Sequence, residues 1–179
     1  MISTDSLPAL LEKAQHGDTS SQEALIRLYQ GRVAGFVYSL LGRPDQVEDL
    51  CQDIFVKMLL SLRQIRNPER FESWLFRIAR NRCLDELRRR KWRRIFVPWA
   101  AEHEERAASD PRFSNEEQEE LFGCIRSLPP AQRELLTLIL DGDFSYEELA
   151  AITGSTVGSV KSRLFRAREE LKRRLRHEA

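Results

Sequence analysis

Residues 71–94 interleave aromatic and cationic side chains. Phe71, Trp74, Phe76, Arg77, Arg80, Asn81 and Arg82 are followed by Arg88, Arg89, Arg90, Lys91, Trp92, Arg93 and Arg94. Just upstream, Arg63-Gln64-Ile65-Arg66-Asn67-Pro68-Glu69-Arg70 reads as a polar, basic loop. Every base offers a stacking face and a cationic groove follows a phosphate backbone, so this combination suits single-stranded DNA. Phe71 and Trp74 are expected to sit mainly in the core, and Arg88 to Arg94 on phosphates.

A second constellation lies at 145–171. Ser145 can cap a helix, with Glu148 three residues on completing a capping box. Thr153-Gly154-Ser155 makes a tight turn, and Ser155 or Thr156 caps the helix that follows. That helix has an apolar stripe of Val157, Val160, Leu164, Ala167 and Leu171. Its other side offers Ser159, Lys161, Ser162, Arg163, Arg166 and Arg168. This is the pattern of a helix-turn-helix whose second helix enters the major groove by its N-terminal part. A third face has the opposite sign: Asp45, Glu48, Asp49, Gln52 and Asp53 would repel phosphate and suit a basic protein surface.

Chemistry of bond breaking is not written here. There is no nucleophile–base pair, metal-ligand cluster or phosphate-cradling glycine loop, so no enzyme, metal or cofactor is expected. Asp141, Asp143 and Ser145 alternate like the start of a calcium loop, but Tyr146 stands where glycine is needed and Ile152 where a bidentate Glu is needed. Cys51, Cys83 and Cys124 form no C-x-x-C pair and read as buried thiols of a reducing cytoplasm.

The elements that must position these residues are helices. In 20–41 the apolar residues Leu25, Leu28, Tyr29, Val33, Phe36, Val37 and Leu40 follow a helical face. Gly42-Arg43-Pro44 ends it, and Pro44 suits the first turn of the next helix, with acids at its positive end. There Val47, Leu50, Cys51, Ile54, Met58 and Leu62 point inward. Asn67-Pro68 marks a loop. A long helix from Phe71 to about Arg94 has Trp74, Leu75, Ile78, Leu84 and Leu87 as its apolar side. Residues 100–114 are charged, hold Pro111 and lack an apolar period, as in a linker. Helices resume at Asn115–Ser127, Ala131–Leu140, Tyr146–Ile152 and Thr156–Arg176. The fold expected is all-α: two small helical domains, each with its own core, joined by an acidic, flexible linker.

Among the 179 residues, 32% are charged and 41% hydrophobic, as in an ordinary globular chain. The net charge of +1 conceals an uneven distribution. Residues 1–99 carry +5, residues 100–120 carry −6 and residues 121–179 carry +2. Two basic segments around an acidic one point to nucleic acid. No stretch approaches the ~18 apolar residues of a membrane span. Met1-Ile2-Ser3-Thr4-Asp5 lacks the basic start of a signal peptide. No membrane insertion and a cytoplasmic location are expected.

These residues resemble the extracytoplasmic-function (ECF) group of the sigma-70 family of bacterial RNA polymerase sigma factors, which hold only the second and fourth sigma domains. The resemblance covers nearly the whole chain. Val47-Glu48-Asp49-Leu50-Cys51-Gln52-Asp53-Ile54-Phe55 is similar to the family's acidic helix. It implies that Glu48, Asp49, Gln52, Asp53 and Phe55 dock on the clamp of the largest subunit of core RNA polymerase. Phe71-Glu72-Ser73-Trp74-Leu75-Phe76-Arg77-Ile78-Ala79-Arg80-Asn81, continuing to Asp85-Glu86-Leu87-Arg88-Arg89, resembles the segment that opens the minus-ten promoter element. Arg63, Asn67, Arg70, Ser73, Trp74, Arg77, Asn81, Arg88 and Arg89 are its implied contacts, the loop at 63–70 accepting a flipped base. Leu128-Pro129, Tyr146-Glu147-Glu148-Leu149-Ala150 and Val157-Gly158-Ser159-Val160-Lys161-Ser162-Arg163-Leu164-Phe165-Arg166-Ala167-Arg168 resemble the reader of the minus-thirty-five duplex. They imply contacts by Ser155, Thr156, Ser159, Lys161, Ser162, Arg163 and Arg166. Thr156 stands where many members carry Pro. The domains implied are 1–99 and 115–179 around a linker at 100–114, with promoter DNA, core polymerase and an anti-sigma factor as partners.

Two other classes fit parts of the sequence. A stand-alone helix-turn-helix regulator leaves the acidic helix and the aromatic–basic helix without a use. An RNA-binding regulator would prefer RNA to promoter DNA.

Overall fold

Prolines, glycines and short polar residues set the helix boundaries in the computed structural model, which describes residues 6–96 and 123–177. Helix α1 spans Leu7–Gln15, α2 Thr19–Leu41, α3 Val47–Ser61 and α4 Phe71–Phe96. After helical residues 123–126 come α5, Pro130–Asp141, α6, Tyr146–Thr153, and α7, Val157–His177. Asp18 caps α2 by accepting from the Ser21 amide at 2.8 Å. Gly42 ends α2 in the left-handed region at φ 67, a conformation that costs glycine little. Pro44–Gln46 and Pro68–Arg70 form 3-10 turns before α3 and α4. No strand occurs among the described residues. The linker expected at 100–114, and the start of the helix expected at Asn115, lie outside them.

Helix α1 is an addition to the elements expected from periodicity; two turns carrying Leu7, Leu10, Leu11 and Ala14 are too short to stand out. In α2 the buried face is Leu25, Tyr29, Val33, Phe36 and Leu40, whereas Leu28, expected to face inward, is 57% exposed. In α4 the apolar side is turned from the one expected. Phe71, Leu75, Phe76, Ala79 and Cys83 are fully buried, while Trp74, Ile78, Leu84 and Leu87 are only half-buried. Aromatic bulk at 71 and 76 wins the interior, and the smaller Ala79 and Cys83 let α3 approach.

Two separate cores are expected from the sequence, but buried residues of both halves form one continuous cluster. Helix α5 packs on α2, and α6 packs on α4. The reason is visible in α2: Gly35, Phe36, Val37, Tyr38, Ser39, Leu40 and Leu41 are buried in succession, more than one helical face can account for. Helices α3 and α4 cover one side of that turn and α5 the other.

The joint between the halves mixes apolar and charged contacts. Phe76 meets Phe144 edge to face at 5.3 Å. Arg32 lies 5.3 Å from the Phe76 ring and 6.0 Å from that of Phe144, and also grips Glu72 with two bonds of 3.0 and 3.1 Å. Tyr29 donates to the same carboxylate at 2.9 Å. Burial raises the Glu72 carboxyl, but these hydrogen bonds outweigh it and hold it below its ordinary value. The contribution is therefore full above the ordinary carboxylate range and is lost as pH falls through the lowered value. Across the joint, Arg80 pairs with Glu134, whose carboxyl burial pushes up against the pull of that arginine.

Candidate nucleic-acid interface

The helix-turn-helix is built by its caps. The Ser145 side chain accepts from the Glu148 amide at 3.2 Å, and the Glu148 carboxylate accepts from the Ser145 amide at 2.9 Å. This is the capping box expected, and it fixes where α6 starts. Ser145→Ala should destabilise the chain by about 1 kcal/mol, read as a lower urea midpoint at unchanged slope. Gly154 turns the chain at φ 61. Of the two candidate caps for α7, Thr156 fills the position and accepts from the Ser159 amide at 3.2 Å. Ser155 turns toward Thr153, hydroxyl to hydroxyl at 2.7 Å.

Helix α7 buries Val160, Leu164 and Ala167, with Val157 and Leu171 half-buried beside them, as its spacing predicts. Lys161, Ser162, Arg166 and Arg168 are exposed on the other side, and Ser159 is half-buried. The Lys161 ammonium lies 5.3 Å from the Tyr146 ring, which sets its direction from α6. Arg163 is half-buried, and its charge reaches Glu134 of α5. Phe165, 68% exposed, stands on the same solvent face as Lys161 and Ser162.

On α4, Arg77, Asn81, Arg88 and Arg89 are exposed, and Ser73 and Trp74 half-exposed, at spacings that keep them on the side turned away from α6. Trp74 rests against Phe71 at 5.9 Å and keeps part of its ring in solvent. Phe71 and Phe76 are wholly interior and offer no stacking surface. Arg63, Asn67 and Arg70 are exposed on the preceding loop, where the Asn67 side chain accepts from the Glu69 amide at 3.0 Å. The cations at the end of α4 have partners that the sequence reading did not assign. Arg88 pairs with Asp85 at 2.6 Å, and Glu86, buried despite its charge, takes Arg89 at 2.7 Å and Arg90 at 3.3 Å. The Arg88 and Arg89 heads are more than 60% exposed. The Arg88–Asp85 pair, exposed on both sides, contributes only ~0–1 kcal/mol and yields readily to a phosphate, whereas Arg89 leans on a buried carboxylate that Arg90 also holds.

The acidic face of α3 is open. Glu48, Asp49, Gln52 and Asp53 are exposed, and Asp53 pairs with Arg82 of α4. Phe55, placed with this face by resemblance, is instead buried: its position faces the core side shared with Ile54 and Met58. The exposed apolar residues on this face are Val56 and Leu60, at 55% and 79%. They continue the series Asp49, Gln52, Asp53 by helical steps, a signal legible in the sequence once the register of α3 is known.

Burial lifts the Cys51 thiol to about 11 and that of Cys83 to about 12, which disfavours the thiolate of each. Cys83 and Cys124 are buried as expected, while Cys51 is half-buried where full burial is expected.

The Sigma-70 region 2 family profile matches residues 25–93, and that of Sigma-70 region 4 matches residues 118–171. The chain is 38% identical over 174 residues to the ECF RNA polymerase sigma-E factor of Escherichia coli, covering 90% of each protein. The chain belongs to the ECF RNA polymerase sigma factors. The Haemophilus influenzae ECF sigma-E factor is 32% identical over 178 residues, covering 93% of this sigma factor and 94% of that one. Among solved structures, the sigma factor RpoE in complex with the anti-sigma factor NepR from Bartonella quintana has a TM-score of 0.75. It is 28% identical, over 86% of this chain and 96% of that one. The two expected regions thus occur in the expected order, and the sigma factor is all-helical where described. No helix among the described residues is long and apolar enough to cross a membrane.

Proposed function

We propose that this sigma factor works through three chemically distinct faces on one chain. The single observation that carries the reading is that an open acidic face on α3, an exposed aromatic–cationic face on α4 and the basic face of the helix-turn-helix are built on one shared core. Residues 1–99 act as the second sigma domain and 115–179 as the fourth, with 100–114 as the tether. The α3 face of Glu48, Asp49, Gln52 and Asp53, extended by Val56 and Leu60, docks on a basic surface of the polymerase clamp. Charge complementarity there guides encounter, and the apolar end adds buried area. Lys161, Ser162, Arg163 and Arg166 read the minus-thirty-five duplex in the major groove, with Ser159 beside them, and Thr156 and Ser155 shape the approach.

Trp74 and the cations Arg77, Arg88 and Arg89, with Ser73 and Asn81, hold the non-duplex minus-ten strand. Arg63, Asn67 and Arg70 form the loop that accepts a flipped base. Unpaired DNA is bound better than duplex, so melting follows by population shift, with no hydrolysis by this chain. The protein acts in the cytoplasm, in keeping with its protected thiols. An anti-sigma factor is its regulatory partner by analogy with the complex above.

The test is promoter binding with and without core polymerase. Specific promoter binding should require polymerase. Tight duplex binding by the chain alone would favour a stand-alone regulator, and preference for RNA an RNA-binding one. Within the holoenzyme, Arg166→Ala should weaken binding to the upstream duplex by about 1–3 kcal/mol if it reads a base, and relax preference at one position. A phosphate contact would instead weaken all sequences and flatten the salt dependence. Unchanged binding in a filter assay removes Arg166 from the interface.

A further inference from the structure

The loop over 62–70 is held from outside the matched region 2 segment. Gln15, the last residue of α1, sends its side-chain amide across to this loop. It donates to the Leu62 carbonyl at 3.0 Å and to that of Ile65 at 2.7 Å. In return, the Arg63 Nε donates to the Gln15 carbonyl at 3.1 Å. Leu62 and Ile65 are the two ends of a single 3-10 turn, closed by the Ile65 amide on the Leu62 carbonyl at 3.1 Å. One amide group therefore clamps both ends of the turn, and the α1 main chain fixes the direction of Arg63.

The anchor is itself secured. Leu11 and Ala14 are buried under α1, and the Gln22 side chain of α2 donates to the Ala14 carbonyl at 3.1 Å. A groove lined by Pro8, Glu12, Gln15, Ile65, Arg66 and Pro68 separates α1 from the rest of the loop, so Gln15 supplies the polar bridge between them. Beyond the turn, Ile65 and Asn67 have extended backbone, and the next local bond is the one from the Arg70 amide to the Asn67 carbonyl at 3.1 Å.

We infer that α1, through Gln15, is the positioning element for the base-capturing loop, and that Gln15 determines how sharply the loop discriminates among bases at the flipped position. The inference rests on the reading of 63–70 given above. A base pocket selects only if its walls are held before the base arrives; a loop that must order on binding loses affinity and selectivity together. Gln15 touches no DNA. It acts through Leu62, Arg63 and Ile65.

The experiment uses the full chain assembled with core polymerase. The probe is a pool of short single-stranded DNAs of randomised sequence, with a pool of randomised duplexes as control. Retained DNA is sequenced. Gln15→Ala should lower retention of single strands by about tenfold and flatten the base preference at one position. Gln15→Lys keeps a donor on a stem of similar reach and should restore the preference. Gln15→Glu, an acceptor facing two carbonyls, should not. Duplex preference should be the same in all. A merely structural role would lower the melting temperature of Gln15→Ala while leaving the base preference sharp, and that result overturns the inference. Asn67→Ala separates the two levels. If it flattens the preference and Gln15→Ala does not, the loop reading stands and the brace falls. If neither variant changes the preference, both fall.

Discussion

Asp49→Lys should cut the affinity of this sigma factor for core RNA polymerase by about 10- to 100-fold, since a like charge at a complementary interface is worth several kcal/mol. Asp49 is exposed in the first turn of α3, on the same face as Gln52 and Asp53. It is the better probe of that face than Asp53. The latter holds Arg82 of α4, so Asp53→Lys would set two cations against each other inside the protein as well as at the interface. Lysine at position 49 also opposes the helix dipole, by ~0.3–1 kcal/mol, which is too little to unfold α3. Asp49→Asn should fall between wild type and Asp49→Lys. The measurement is a fluorescence titration of labelled chain with core polymerase at two ionic strengths. The wild-type affinity should weaken with salt, and the lysine variant should do so less. Equal affinities for all three chains would mean that polymerase docks elsewhere.

Phe76→Ala is the substitution with the largest expected effect on stability, about 3–5 kcal/mol. Its ring is fully buried, with Phe36 of α2 at 5.5 Å on one side and Phe144 at 5.3 Å on the other. Domains of this size are stable by only ~5–15 kcal/mol, so the change removes a large share of the margin. Phe144→Ala makes the informative comparison. Phe144 is half-buried and meets the N-terminal half at Phe76 and Arg32, so its loss should loosen the joint and spare the helices on either side. Urea unfolding followed by helicity gives both numbers. If Phe76→Ala falls within about 1 kcal/mol of wild type, the site collapses to fill the void and the shared core is not what holds the halves together.

Much of this architecture was legible in the residues. The apolar steps from Val157 to Leu171 and the Ser145–Glu148 pair placed α6 and α7 within a residue of their bounds, because caps and periodicity are local properties. The acidic face of α3 was legible for the same reason. What escaped was decided by packing between distant segments. Phe76 stands beside Arg77 in an aromatic–cationic run and Phe55 is set on the acidic face by resemblance, and only the register of α3 and α4 shows that both are interior. The ion pairs of Arg80 with Glu134 and Arg82 with Asp53 join residues that have no sequence relation. The sheer length of the apolar run Gly35 to Leu41 was the one local sign that a second layer must cover α2.

The order in which this molecule assembles follows from how far apart in the chain its contacts lie. Helices α2, α3 and α4 meet through short connections and need little loop closure. The joint is different: Arg80 and Glu134 are 54 residues apart, and Arg133 reaches the Ser39 carbonyl across 94. Closure entropy grows slowly with such separations, but it must be met before any joint contact forms, so the C-terminal helices are expected to dock onto a framework already built. The reverse path is an opening of the joint below the free energy of global unfolding. Amides of α5 and α6 should then exchange with deuterium sooner than those of α2. Such an opening would leave a state in which the two halves keep their helices and lose only each other.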